Sequence, residues 1–129
     1  MKRLGLTILM FSLSALAANN GPRGKLAGGV ERLLYVADKS GLSVYDINDG
    51  HRFLRKIEVP DTANYKGISA SVPLGKLYLT SNLKDELVCL DLATDAITWR
   101  RKYPEGYPDS QAMTPDGRTI YVPMRDGDS

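Results

Sequence analysis

The chain has 129 residues, 43% of them hydrophobic and 25% charged, the balance of an ordinary globular protein with room for one small domain. Without Lys2 and Arg3, which belong to a leader described below, fifteen basic residues face fifteen acidic ones; the overall positive field of a nucleic-acid binder is missing. Cys89 is the single cysteine, which excludes an intrachain disulfide and any CxxC metal or redox motif.

Residues 1–17 read as a secretory signal peptide. Lys2-Arg3 is followed by an apolar run from Leu4 to Leu16, then by the small residues of Ala15-Leu16-Ala17. The run falls short of the ~20 residues that span a bilayer. Cleavage after Ala17 is expected, with no cysteine behind it for a lipid anchor. The mature chain is then secreted or periplasmic, with no membrane contact. Residues 18–31 are Gly-rich and weakly patterned, as in a flexible tail.

Strand signals begin with Leu33–Ala37, followed by turn chemistry at Asp38–Gly41. Leu42–Ile47 alternates at period two, Asn48-Asp49-Gly50 is a hairpin signal, and Phe53–Val59 is a charged outer strand stopped by Pro60. The next set has four strands: Gly67–Val72, Lys76–Thr80, Leu87–Leu92 and Ala96–Tyr103. Turns at Pro73–Gly75, Ser81–Asp85 and Ala93–Asp95 join them, and Pro104 closes the set. A third set starts with Gln111–Thr114, turns through Pro115–Arg118, continues as Thr119–Pro123, and enters a turn at Met124. Tyr35, Tyr78 and Tyr121 fall 43 residues apart each time. No helical period appears outside the leader.

Units of ~40–50 residues, each of four short antiparallel strands, predict β-propeller blades. Leu34–Asp38 (LYVAD), Leu77–Asn82 (LYLTSN) and Ile120–Val122 (IYV) resemble the YVTN motif of the YVTN-type seven-bladed β-propeller family. Thr114–Arg118 (TPDGR) resembles its SPDGR turn, and Leu87–Thr94 its TVSVIDLATG strand and turn. The resemblance spans Arg32–Val122, with departures at Val72–Gly75 and Ala93–Asp95. It implies an all-β fold of about two and a third blades. These are the outer strands of a first blade in 32–60, a complete blade in 66–104, and the start of a third in 109–129. Residues before Arg32 show no counterpart to Gly67–Val72. The resemblance implies that a strand from a far C-terminus completes such a first blade. Propellers close with ~4–8 blades, so the chain reads as the N-terminal part of a longer protein. A ring assembled from several copies is the alternative.

No catalytic residue, metal site or cofactor is predicted. His51 sits in a hairpin turn away from the inner strands. Cys89 aligns with Val44 and is expected between blades as a small hydrophobe. Asp46 and Asp91 recur where a side chain can fix a hairpin. Asp126 and Asp128 offer too few oxygens for calcium. Arg100-Arg101-Lys102 beside Trp99 is expected to spread over two faces of an outer strand. The family binds at the mouth of its central channel. That position nominates Lys66, Asp109, Ser110 and Gln111 as ligand-binding candidates, with the turns Asp38–Gly41 and Ser81–Asp85 around them. The expected function is an extracytoplasmic binding or scaffold module for a small molecule or protein of unknown identity. The resemblance also implies two alternatives, a lactonase-type hydrolase and a propeller subunit of a quinone or haem dehydrogenase.

Overall fold

The computed structural model describes residues 30–62, 64–104 and 106–125. The expected signal peptide, most of the expected tail, and residues 126–129 with their two aspartates lie outside them. The protein is all-β, as its alternating apolar pattern predicts. Among the described residues eleven strands follow in order: β1 (Leu33–Asp38), β2 (Gly41–Asp46), β3 (Arg52–Glu58), β4 (Tyr65–Ser71), β5 (Lys76–Ser81), β6 (Glu86–Asp91), β7 (Ile97–Lys102), β8 (Tyr107–Pro108), β9 (Ala112–Met113), β10 (Ile120–Tyr121) and β11 (Met124–Arg125). They form a three-stranded sheet β1-β2-β3, a four-stranded sheet β4-β5-β6-β7, and the pairs β9-β10 and β8-β11. All pairings are antiparallel.

One register recurs. Ser69 faces Tyr78 and Ala70 faces Leu77; 43 residues later, Ala112 faces Tyr121 and Met113 faces Ile120. Tyr65 faces Ser81 as Pro108 faces Met124. Tyr35 faces Val44 as Tyr78 faces Cys89, the two-residue offset being absorbed by the longer turn after β5. Irregularities recur too. The β2–β3 register shifts between Val44 and Tyr45, and the β6–β7 register between Cys89 and Leu90.

The core lies between the three- and four-stranded sheets. Leu42, Val44, Ile57 and Val59 meet Leu77, Leu79, Val88 and Leu90, all buried. Fully burying each such side chain contributes about 1.5–3 kcal/mol. The opposite face of the first sheet is open: Leu34, Val36 and Phe53 are exposed. Cys89 is buried on the other face of the second sheet, beside its cross-strand partners Tyr78 and Trp99.

Two local expectations change. Met124 and Arg125 are paired with Tyr107 and Pro108 as a strand, where the sequence suggested a turn. Two-residue strands interrupted by an irregularity are too short to show a period, and Pro108 argues against a strand until an edge position is known. The β2–β3 connection is wider than a two-residue hairpin. A 3-10 turn at Ile47–Asp49 is followed by left-handed Gly50 (φ 57°) and His51 (φ 61°). The Asp46 carboxylate accepts from the Asn48 amide at 2.9 Å, and Asp91 accepts from the Ala93 and Thr94 amides at 3.0 Å each. Both aspartates fix turns.

Candidate functional site

The turns 38–41 and 81–85, the β3–β4 connection and the start of β4 share one end of the two sheets. Lys66 stands in the β4–β5 irregularity, between the pairs Tyr65–Ser81 and Gly67–Thr80, and is exposed. Ser110 is exposed as well. Asp109 and Gln111 are held by neighbouring strands. The Asp109 amide donates to Pro123 O at 3.1 Å, and its carbonyl accepts from Thr80 Oγ1. Its carboxylate lies 3.8 Å from Arg125. Gln111 Nε2 donates to Tyr78 O at 2.9 Å. Gly67 allows this approach: a Cβ there would lie 2.8 Å from Gln111 Cγ and 2.9 Å from Thr80 Oγ1. The structure thus sets Gln111 against Gly67, while Lys66 and Ser110 present their side chains to solvent.

The sequence pattern gave no sign of a polar cluster at the same end. Glu86 opens β6 with only 3% of its surface exposed. Its carboxylate accepts from Thr62 Oγ1 at 2.6 Å and from Arg100 Nη1 at 2.8 Å. Arg100 also donates to Thr62 Oγ1 and, through Nη2, to Pro60 O at 2.6 Å. These bonds tie the β3–β4 connection to the second sheet. Beside them, burial pushes the Tyr65 phenol up to about 12; the Arg100 cation opposes this, and Asp38, Glu86 and Glu58 add to it. Lower on the same sheet interface, Arg55 grips Asp95 with two bonds of 2.5 and 3.0 Å. Period-two alternation identifies such residues as half-buried but cannot name partners 38 to 40 positions away.

Asp38 and Asp91 are held at about 2, below the ordinary carboxyl value of 3.8. The chief cause is a lysine bond in each case, Lys56 for Asp38 and Lys76 for Asp91, followed by turn amides. Folding therefore favours the ionised forms. Their stabilisation is present above the unfolded value of 3.8 and is lost as pH falls toward about 2. We expect the urea midpoint to decline across that window, and less steeply in a D38N/D91N double variant. An equal slope in the variant would remove these two groups as the cause.

The remaining candidates fall into structural places. His51 is exposed in its turn. The basic run divides as alternation requires: Arg100 reaches Glu86, while Arg101 lies over the Tyr103 ring, 5.2 Å from its centroid. Among the described residues, no three His, Cys, Asp or Glu side chains gather to hold a metal ion. No protein-family model matches the chain, and no curated protein matches it.

Proposed function

We propose that the chain belongs to an extracytoplasmic β-propeller of the YVTN type, serving as a binding or scaffold module. Its ligand surface is the end that carries Lys66, Ser110 and the turns 38–41 and 81–85. The single observation behind this reading is the recurrence of one strand register at 43-residue spacing, in the β4–β5 ladder and in the pairs β9–β10 and β8–β11. Stacked repeats of this kind place equivalent loops side by side, and such loops carry recognition on a rigid frame. The charged groups at this end favour binding over acid–base chemistry, because several already serve the frame. Asp38 bonds Ser40 and Lys56, Glu86 bonds Thr62 and Arg100, and Asp109 faces Arg125. Of the four nominated residues, Lys66 and Ser110 are the exposed ones, beside exposed polar residues of the turns such as Lys39 and Lys84. The ligand is a small molecule or a protein segment.

Amide chemical-shift mapping against a panel of sugars, sugar lactones and short peptides tests this. Shifts should gather at Lys66, Ser110 and the two turns, and fade in a K66A/S110A variant. Binders that map only to the turns 46–51 and 91–96 would overturn the assignment. Turnover of a lactone would overturn the non-enzymatic reading in favour of a hydrolase. The compartment has its own test: on export, the mature protein should begin at Ala18.

A further inference from the structure

Where the two sheets meet, large aliphatic side chains close the gap: Leu77, Leu79, Val88 and Leu90 of the second sheet press on the first. At one corner they give way to Ala70, Gly75 and Ala93, and a cavity of about 350 Å³ opens against Leu33 and Tyr35 of β1. Ligand pockets begin at about this size, in a range of roughly 300–1,000 Å³. The cavity lies at the far end of the sheets from Lys66, beside the end of β4 and the end of β6. Its wall is preformed. Gly75 N donates to Val72 O at 3.1 Å, Leu92 N donates to Gly75 O at 2.9 Å, and Asp91 accepts from the Ala93 amide at 3.0 Å. With these backbone groups bonded to one another, the wall turns aliphatic surface toward the hollow. Val72 is 81% exposed there, a large cost for an apolar side chain to leave uncovered.

Among the described residues that line the cavity, only Glu31 is charged, and it is exposed where the hollow meets solvent. The cations around it are engaged or turned away. Lys76 bonds Asp91 at 3.1 Å and Arg55 bonds Asp95. Arg32 has the parity of Leu34, on the opposite face of β1 from Leu33. The Glu31 carboxylate is therefore the charge in excess at this corner. We propose that the cavity binds a small amphiphilic cation, a one-ring arylalkylammonium. Its ring lies among Leu33, Tyr35, Val72 and Leu92, and its ammonium meets Glu31. Apolar burial supplies the attraction, and the carboxylate selects the sign of the charge. The volume suits one ring on a short arm, which excludes a folded peptide. This site is independent of the ligand surface at Lys66 and Ser110.

Amide chemical-shift titration of the full chain with phenethylammonium tests this, beside 3-phenylpropionate, which has a similar shape and the opposite charge. The cation should shift Leu33, Tyr35, Ala70, Val72 and Leu92 saturably and leave Lys66 and Ser110 unmoved. The carboxylate should bind about fivefold more weakly, the order expected for one solvent-shared charge pair. Glu31→Gln should bring the two probes within about twofold of each other, at an exposed position where the fold is not at stake. Ala70→Leu, which fills the hollow, should weaken both, and Ala93→Leu does the same from another wall if the first variant does not fold. No saturable shift at these amides, equal binding of the two probes, or an unchanged preference in Glu31→Gln would each overturn the proposal. Shifts confined to Lys66, Ser110 and the turns 38–41 and 81–85 would overturn it too, while leaving the ligand surface in place.

Discussion

Arg100→Ala is expected to lower stability by about 3 kcal/mol, near the bottom of the range for breaking a buried ion pair. The variant leaves the Glu86 carboxylate at 3% exposure with the Thr62 hydroxyl as its remaining donor among the described residues. It also strips the Pro60 carbonyl of its donor and takes away the cation that opposes the upward push on Tyr65. The figure sits at the low end because the arginine side chain is itself 28% exposed, so water shares part of its charge. A domain of this size holds only about 5–15 kcal/mol in total, so the urea midpoint should move visibly at neutral pH. Arg100→Lys should recover part of the loss, since it keeps the charge but not the planar fork that reaches three oxygens. A midpoint unchanged in Arg100→Ala would show that the cluster does not hold the β3–β4 connection to the second sheet.

Leu79→Ala should cost about 2–5 kcal/mol, the range for emptying a packed aliphatic site. Leu79 has no exposed surface and lies opposite Ile68 and Val88 within the core between the sheets. The cavity it leaves is bounded by two sheets pinned together by Arg55–Asp95 and by the bond of Arg100 to Pro60 O just after β3, so little collapse can refill it. Phe53→Ala provides the contrast. Phe53 is larger but 53% exposed on the open face, and its partner is the edge of the Tyr45 ring. Its loss should remain below about 1 kcal/mol, as for most surface changes. Equal costs at the two positions would mean that the core lies on the wrong face of the first sheet.

The strands of the four-stranded sheet were legible because each is a run of six or seven residues bounded by turn chemistry, and β4 alternates in burial along nearly its whole length. Asp46 and Asp91 were legible as turn residues because the bond they make is local, two or three positions along the chain. What escaped has one physical origin. Glu86 with Arg100 and Thr62, Arg55 with Asp95, and Gln111 with Tyr78 all join segments that folding brings together, and no single window contains both partners. The four nominated site residues were placed by position alone. The fold separates them into two exposed side chains, Lys66 and Ser110, and two structural ones, Asp109 and Gln111. A clue lay in Gly67, whose missing side chain is what lets Gln111 approach.

The matching irregularities at Val44/Tyr45 and Cys89/Leu90 have a consequence for solubility. Each increases the twist of an outer strand and breaks its ladder. β3 (RFLRKIE) and β7 (ITWRRK) also carry interleaved charges, so neither offers a flat template on which a neighbouring molecule could stack edge to edge. β1 (LLYVAD) has no such protection: no irregularity interrupts its pairing with β2, and no charge precedes Asp38. Aggregation of this protein should therefore begin at β1, and whatever covers that edge acts as the molecule's guard against fibril growth.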